Sequence, residues 1–396
     1  MKQNHKRITL VLLVLSLFAY ASIGHATTTV FTQIINAQVG HYPPSSESVT
    51  YQDVEINGAY AYVSDASLPG LRVISLVDPS NPSLTASSAV TVATSYEIEI
   101  ANNIAFLRVM ENQDYDIEYI DITTPSTPVY KNLLDLNHAR GFDAVGYVLY
   151  VNNGTEVITF NITDVDDIKE LYRLDLTDYG QSLAFIDDTI YVCTSSNQLK
   201  LINATDPSDL ILISTLNLND FYVDSYLING DILYASGFDG TKTVLPERAH
   251  RGYVIAIDIS NQSDPTPFTE LFIDGINGVG LALHDNKLFV GACAEGIEVI
   301  DISNPSVLEA TGYYDDYQDL YCGGEHYALY PKHYVDATLG DLIVFVSSSC
   351  GLNIIKADGF EFEFSIPGFE VYTLTFSTIL GLSFIFVKLR RRLKSS

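Results

Sequence analysis

Lysine and arginine are scarce in this chain of 396 residues, which has 21 of them against 49 aspartates and glutamates and a net charge of −28. Eight of the basic residues lie at the two ends, so residues 27–369 carry 13 positive and 48 negative charges, a net of −35. Affinity for a phosphate backbone needs clustered lysine and arginine side chains. A nucleic-acid partner is therefore not expected.

Short catalytic motifs are missing as well. The sequence contains no GxSxG, HExxH, P-loop or paired-carboxylate motif. Active sites built from distant loops leave no such local signature, so this absence favours a non-catalytic protein without deciding the matter. Apolar residues are not scarce: they make up 47% of the chain, which excludes a disordered or fibrous protein.

The sequences at both ends of the chain predict that the protein is exported and anchored in a membrane. Residues 1–26 run from a basic start through an apolar segment to small residues, the layout of a secretory signal peptide, with an uncleaved anchor as the alternative. Residues 366–387 include 17 consecutive uncharged residues, about the minimum for a transmembrane helix. Residues 388–396 form a basic tail that we expect in the cytoplasm. Residues 27–365 would then be an ectodomain anchored by its C-terminus at the extracellular face of the cell membrane.

The tetrapeptide Ile366-Pro367-Gly368-Phe369 precedes this apolar stretch. With the basic tail, it resembles the PGF-type C-terminal sorting signals of archaeal surface proteins, which a membrane protease removes and replaces with a lipid. Two alternatives stay open, a permanent single span and a lipid anchor. Both tether the protein to the membrane.

An internal repeat organises the ectodomain. Seven short apolar strands each carry an aromatic residue, and the intervals between these residues are 44, 44, 41, 43, 55 and 56. The seven aromatic residues are Tyr62, Phe106, Tyr150, Tyr191, Tyr234, Phe289 and Phe345. Each follows a tight-turn signal such as Asn57-Gly58, and each precedes a second apolar strand that mostly ends in Asp or Asn before a loop. This repeat predicts an all-β fold, a seven-bladed β-propeller of four-stranded antiparallel blades.

The first repeat reads Ala61-Tyr62-Val63, then GLRVI, then DPSNP. This pattern resembles the LVIVD repeat of extracellular β-propeller proteins, and the resemblance extends over residues 51–355. It implies a propeller at a cell surface and no particular activity. The absence of tryptophan argues against quinone-dependent dehydrogenase propellers, which use tryptophan as a docking repeat, and the Asp-box of sialidases is missing.

The seventh repeat lacks a clear fourth strand, and an unpaired edge would leave the ring open. The segment from Phe31 to Pro43 is apolar enough to supply it. We expect this N-terminal strand to join the seventh blade from outside.

One face of such a propeller, called the top face here, holds the connections between blades and the loops between the second and third strands. The long insertions at 240–252 and 317–333 are expected there, and loop length beyond what closure needs is where function is usually found. His41 is expected on this face too. The candidate ligand-binding residues of the top loops are His138, Arg140, Glu247, Arg248, His250, Arg251, Glu325, His326 and His333.

These residues predict a histidine and carboxylate site over the central channel for a metal or an anionic ligand. The alternative is ordinary surface histidines, because no two of them show HxH or HxxxH spacing on one element. His284 alone is expected on the opposite face.

Three carboxylates occupy a common register, nine residues before the repeat aromatic: Asp53, Glu97 and Asp336. Placed at the upper ends of the inner strands, they could converge on Ca²⁺, which prefers oxygen ligands. The alternatives are a solvated acidic rim or an aspartate that hydrogen-bonds the backbone of the next blade. The candidate cofactors are thus Ca²⁺ or a transition metal. The repeated acidic or amide positions Asp121, Asn161, Asn203, Asp258 and Asp301 predict turn capping instead.

Four cysteines in an oxidising compartment permit several pairings. We expect Cys322–Cys350, with Cys293–Cys322 as the alternative and Cys193 as a packed free thiol. Candidate N-glycosylation sites begin at Asn153, Asn161, Asn203 and Asn261.

Three functional hypotheses follow. The first is a surface-anchored binding or adhesion module whose top face meets a surface glycan or a protein partner. The alternative is a metal-dependent extracellular hydrolase or lyase with a histidine and acid site over the channel. The third is a charged coat component or an adaptation to high salt, since a large negative charge favours solubility.

Overall fold

The computed structural model describes residues 33–35, 38–42, 50–66, 70–89, 94–111, 114–136, 138–239, 251–273, 278–292, 296–314, 328–347, 351–357 and 361–363. Within these ranges the chain forms 30 β-strands and no helix. The first two strands are β1 (Gln33–Ile35) and β2 (Gln38–Tyr42).

The next 27 strands form seven blades in chain order, each built around an antiparallel meander. Blade 1 contains β3 (Tyr51–Asn57), β4 (Tyr60–Asp65), β5 (Gly70–Ser75) and β6 (Ser83–Ala89). Blade 2 contains β7 (Thr94–Ala101), β8 (Ile104–Glu111), β9 (Asp114–Asp121) and β10 (Val129–Leu134). Blade 3 contains β11 (Gly141–Val145), β12 (Val148–Asn152), β13 (Glu156–Asn161) and β14 (Lys169–Asp175). Blade 4 contains β15 (Gly180–Ile186), β16 (Thr189–Thr194), β17 (Gln198–Asn203) and β18 (Ile211–Asn217).

Blade 5 contains β19 (Phe221–Asn229), β20 (Ile232–Asp239), β21 (Arg251–Asp258) and β22 (Thr266–Phe272). Blade 6 contains β23 (Val279–His284), β24 (Lys287–Gly291), β25 (Ile297–Asp301) and β26 (Glu309–Tyr314). Blade 7 takes three strands from the end of the chain, β27 (Ala328–Asp336), β28 (Gly340–Ser347) and β29 (Gly351–Lys356). The last strand is β30 (Glu361–Glu363).

The first hairpin turn of each blade has the backbone conformation that its residue types favour. Every one of the seven turns contains a residue with a positive φ, for example Gly58 at 62° and Asn103 at 60°. Such angles suit Gly, Asn and Asp and match the twist of a two-residue hairpin. The turns after the third strands are capped by side chains: Asp121 Oδ1 accepts a hydrogen bond from the Thr123 N–H at 2.9 Å, and Asp301 Oδ1 accepts one from the Ser303 N–H at 2.8 Å. The repeated acidic or amide position is therefore a turn cap.

The hydrophobic core is divided among the blade interfaces. Seven clusters of buried residues occur, one between each pair of neighbouring blades, including blade 7 with blade 1. All seven repeat aromatics are at most 3% exposed. Burial of apolar side chains on both faces of every blade holds the ring together. The prediction of a seven-bladed propeller with four-stranded antiparallel blades is confirmed.

The first two and the last of the described strands join blades 6 and 7. Strand β2 pairs antiparallel with β29 and is the outer strand of blade 7, where Val39 and Tyr42 pack against the core shared with blade 1. Strand β1 pairs with β26 of blade 6 and with β30. A side chain at Gly40 would place its Cβ 1.9 Å from the Pro79 carbonyl oxygen, in the first DPSNP turn. Only glycine allows β2 to lie this close to blade 1.

The described residues contain no helix long and apolar enough to cross a membrane. The predicted signal peptide at 1–26, the apolar stretch at 366–387 and the basic tail at 388–396 lie outside them. The expected cysteine pair Cys322–Cys350, and Cys293, lie outside them too. Cys193 is a buried free cysteine, and burial raises the pKa of its thiol to about 11.

Candidate functional site

The innermost strands of blades 1 and 2 alternate between apolar and acidic residues. Val54 and Ile98 are fully buried in the core between blades. Their neighbours on both sides in the sequence are acidic, Asp53 and Glu55 in blade 1 and Glu97 and Glu99 in blade 2. Since successive side chains of a strand point to opposite faces, the four acids point toward the propeller axis.

A cavity of about 220 Å³ occupies the axis, lined by inner strands from all seven blades. Six carboxylates and one lysine line it: Asp53, Glu55, Glu97, Glu99, Asp143, Asp224 and Lys332. We call these seven residues and the cavity the central channel. The central channel is therefore strongly acidic.

Asp53 connects blade 1 to blade 2. Its Oδ1 accepts a hydrogen bond from the Val54 N–H at 2.7 Å, and its Oδ2 accepts one from the Ile98 N–H at 3.0 Å. The residue is 2% exposed, and this burial raises the pKa of Asp53 to about 8, although Lys332 acts to lower it. A buried carboxyl in this state is protonated for much of the time at neutral pH.

Asp143 repeats this arrangement between blades 3 and 4. Its Oδ2 accepts a hydrogen bond from the Phe185 N–H at 2.8 Å, and burial raises the pKa of Asp143 to about 6. Aspartates that hydrogen-bond the next blade's backbone were one alternative for the acidic register. Both aspartates therefore connect neighbouring blades through the backbone.

Lys332 supplies the positive charge at the centre of the channel. Its Nζ forms an ion pair with Glu55. Burial lowers the pKa of Lys332, but Glu55, Glu99 and Asp53 overcome this effect and hold it well above its usual value. Burial, with Glu55 and Asp143, raises the pKa of Glu99. The lysine thus stays charged and offsets part of the repulsion among the acids.

A backbone irregularity brings Lys332 to the axis. The pairing of β27 with β28 shifts between Leu329 and Lys332, and Tyr330 has a φ of 43°. Gly280 of blade 6 lies against this bulge, where a Cβ would approach the Tyr330 Cα to 2.4 Å. Glycine at 280 is therefore required for blades 6 and 7 to meet in this way.

The predicted calcium ligands do not converge. Asp53 and Glu97 line the channel, and Glu97 lies 3.2 Å from Arg108 Nε in an ion pair. Asp336 lies elsewhere, at the last position of β27, where its Oδ1 accepts hydrogen bonds from the Thr338 and Leu339 N–H groups. The count of nine residues was wrong here because five residues of β28 precede Phe345 whereas only two residues of β4 precede Tyr62, and the turn of blade 7 is also one residue longer.

A cluster of tyrosines and arginines lies at the top of blades 2 to 4, and we call Tyr96, Arg108, Tyr115, Arg140 and Tyr179 the Tyr/Arg cluster. The Arg108 guanidinium lies 5.9 Å from the ring centroid of Tyr96 and 5.2 Å from that of Tyr115. The Arg140 guanidinium lies 5.5 Å from the Tyr115 ring and 5.3 Å from the Tyr179 ring, and its Nε donates a hydrogen bond to the Tyr179 hydroxyl at 2.7 Å. These cation–π contacts fix both guanidinium groups.

The other predicted top-loop residues are dispersed. His138 lies 3.0 Å from Asp114 in an exposed pair on the top face. Arg251 begins β21, and only its backbone is described. His41 lies within β2, so its expected position in a top loop was wrong. The remaining five candidates, Glu247, Arg248, His250, Glu325 and His326, lie outside the described residues.

His333 is not in a top loop, and this expectation was wrong. Strand β27 begins at Ala328, so His333 lies in the lower half of this inner strand, close to its turn. It meets His284 and Asp341 there, with 5.1 Å between the two imidazole ring centroids. The insertion before blade 7 is shorter than the sequence count suggested.

The four candidate glycosylation sites all use their side chains to cap turns. Each Oδ1 accepts a hydrogen bond from a backbone N–H two residues later, for Asn153, Asn161, Asn203 and Asn261. Glycosylation of these residues stays a prediction.

Sequence reasoning missed Glu55, Glu99, Asp143 and Lys332. Two of them carried a signal, because acids at alternate positions, as in Asp53-Val54-Glu55 and Glu97-Ile98-Glu99, mark one face of a strand. No sequence signal pointed to Lys332, because no local motif predicts the β-bulge that places it at the axis.

Comparisons with known proteins agree with this class of fold. A profile of the LVIVD repeat matches residues 50–90 and 279–316, which correspond to blades 1 and 6. The chain is thus a seven-bladed β-propeller that contains LVIVD repeats. No curated protein matches it in sequence.

Several solved propellers share the fold at low identity. The WD40 domain of Pan2 from Neurospora crassa has a TM-score of 0.60 at 10% identity, with 83% of this chain and 99% of that chain covered. A catalytically inactive virginiamycin B lyase from Staphylococcus aureus, solved with quinupristin, has a TM-score of 0.57 at 11% identity over 80% and 98% of the two chains. A functionally unknown protein from Desulfotomaculum acetoxidans DSM 771 has a TM-score of 0.54 at 12% identity over 83% and 100%. These likenesses concern the fold alone.

Proposed function

We propose that this chain is a protein-binding module held at the outer face of the cell membrane, and that its partner docks on the Tyr/Arg cluster. The observation that carries the proposal is the stacking of two arginines among three tyrosines at one place on the top face. Tyrosine and arginine are enriched among the residues that dominate binding energy at protein interfaces.

The cluster is prepared for binding before a partner arrives. Arg108 is held by Glu97 and donates from Nη1 to the Arg140 carbonyl oxygen at 3.2 Å, so the two arginines are linked through the backbone. Side chains that are already ordered lose little entropy on association. Among the described residues, no carboxylate forms an ion pair with Arg140. Its guanidinium can therefore bind a carboxylate of a partner protein.

A membrane tether would set the orientation of this surface. The apolar stretch at 366–387 and the basic tail support an anchor at the C-terminus, and residues 1–26 support export. N-terminal sequencing of the purified protein tests export, with a start near Thr27 expected. Release of the propeller by protease added to intact cells tests its exposure at the surface.

Binding is tested by substitution within the cluster. The purified protein, with Arg140→Ala and Tyr115→Ala variants, is chemically cross-linked to intact source cells, and the cross-linked peptides are identified. Tyr147→Ala is the matched control, because Tyr147 is 59% exposed in a turn on the opposite face. We expect one partner protein, cross-linked near blades 2 to 4, to be lost with both cluster variants and kept with the control.

Equal cross-linking by all three variants would refute the cluster as the binding surface. Cross-links confined to glycans would show a partner of another class. Circular dichroism of each variant checks that the fold is retained.

A further inference from the structure

The face opposite the Tyr/Arg cluster carries a second group of functional side chains. His284 is the last residue of β23 in blade 6, whereas His333 and Asp341 belong to β27 and β28 in blade 7. The three side chains meet beside the first hairpin turns of the two blades. We propose that His284, His333 and Asp341 form a binding site for a divalent transition-metal ion, with Zn²⁺ as the representative ion.

The distances between the ligand atoms fit such an ion. His333 Nε2 lies 2.9 Å from Asp341 Oδ1, and His284 Nδ1 lies 3.6 Å from the same oxygen. One ligand atom from each of the three residues falls within 4.8 Å of the other two. Ligands at about 2.0–2.2 Å from a tetrahedral zinc ion are about 3.4 Å apart, so small side-chain rotations suffice.

The chemistry of the donors selects the ion. Two imidazole nitrogens and one carboxylate oxygen suit zinc and similar divalent ions, whereas Ca²⁺ and Mg²⁺ prefer oxygen ligands alone. Three protein ligands leave a fourth position for water. That position is accessible, because the side chains of His333 and Asp341 are 31% and 34% exposed.

One carboxylate lies near the far side of His284. The His284 side chain is only 9% exposed, and its second ring nitrogen, Nε2, lies 3.6 Å from Asp285 Oδ2, slightly beyond hydrogen-bond distance. A small rotation of Asp285 on metal binding would bring the two atoms within that distance; loss of a carboxylate that hydrogen-bonds a ligating histidine typically weakens metal binding 10–100-fold. The isolated pair of His138 with Asp114 on the top face has no second histidine among the described residues and serves as a contrast.

A metal ion here would join blades 6 and 7, the blades that also receive β1, β2 and β30. Because the ion would bind the closed ring and not the unfolded chain, it would stabilise the folded state. The site is independent of the proposed protein-binding function, since it lies on the other face.

The test is metal titration of the full purified protein after removal of any affinity tag and treatment with a chelator. Isothermal titration with Zn²⁺ should show one site per chain, and Co²⁺ should give the visible absorption of a tetrahedral ion. His333→Ala and the isosteric Asp341→Asn should each weaken binding at least 100-fold and abolish the cobalt spectrum, and Asp285→Asn should weaken binding about 10–100-fold. His138→Ala should bind zinc as the unchanged protein does.

Two results would overturn the proposal. One is the absence of saturable binding by the unchanged protein. The other is unaltered affinity and cobalt spectrum in Asp341→Asn, with loss of binding in a His250→Ala, His326→Ala variant. That second pattern would place the metal with the histidines of the long top-loop insertions.

Discussion

Lys332 is the central channel's only positive charge among the described residues that line it, and its replacement by methionine is the most direct test of how the propeller tolerates its acidic axis. Methionine keeps the length and much of the volume of the side chain. The change leaves Glu55 without its ion-pair partner and removes the attraction that acts on Asp53, Glu97 and Glu99.

The magnitude follows from burial. The Lys332 and Glu55 side chains are 30% and 18% exposed, so water in the channel reaches them in part. Removal of one partner from a buried ion pair typically costs 3–5 kcal/mol, and partial hydration places this case near the lower end, at about 3 kcal/mol at pH 8. The loss should shrink at pH 5, because protonation of Asp53 and Asp143, whose pKa values are about 8 and about 6, removes part of the repulsion.

The assay is urea unfolding of the purified protein at pH 5, 7 and 8. Far-ultraviolet circular dichroism is the appropriate signal because the chain contains no tryptophan. Urea is preferred to guanidinium, whose ions would screen the charges under study. Lys131→Met is the matched control: its ion pair with Asp166 is 3.2 Å long and lies at the surface, where Asp166 is 74% exposed. We expect a change of about 0–1 kcal/mol for this control at every pH.

A loss of stability below about 1 kcal/mol in Lys332→Met, or an equal loss at pH 5 and pH 8, would refute the reasoning. Lys332→Arg separates charge from shape. If the charge matters, arginine should restore most of the lost stability.

Two further changes test other parts of the fold. Asp53→Asn should flatten the dependence of stability on pH. The folded pKa of Asp53, about 8, lies well above the usual pKa of an aspartate, so the stability it contributes is complete below about pH 4 and is lost as pH rises through 8. Urea midpoints that fall equally with pH in both proteins would contradict this. Gly40→Ala should destabilise the propeller by about 1–3 kcal/mol, because its Cβ would overlap the Pro79 carbonyl oxygen, whereas Gln38→Ala on the same strand should change little; equal thermal midpoints for these two variants would contradict the close packing.

The blade pattern could be predicted because its determinants are local. Every repeat carries an aromatic residue that the blades bury, a turn residue that accepts a positive φ and, in most repeats, an Asp or Asn that caps the next turn. Each of these features depends on residues close together in the sequence, so counting along the chain finds them.

The site could be predicted only in part because inner strands are irregular. The pairing of β3 with β4 shifts between Tyr51 and Asp53, and that of β27 with β28 shifts between Leu329 and Lys332. A bulge changes which residues face the axis without changing the repeat length. Asp336 and His333 were misplaced for a different reason: the number of residues between the hairpin turn and the aromatic, and the start of β27, cannot be read from the spacing of the aromatic residues.

Ring closure concentrates several features of this chain at one place. Strand β2 completes blade 7, strands β1 and β30 extend blade 6, and the proposed metal ligands connect the same two blades. Without β2, the edge of β29 would be unpaired, and such an edge invites pairing with another chain. A variant that weakens closure should therefore expose an adhesive strand edge before the remaining blades unfold. Gly40 and Gly280, both needed for close approach of neighbouring backbones, lie in this part of the ring, and a metal ion bound between blades 6 and 7 would reinforce the blade contact beside the closing strand.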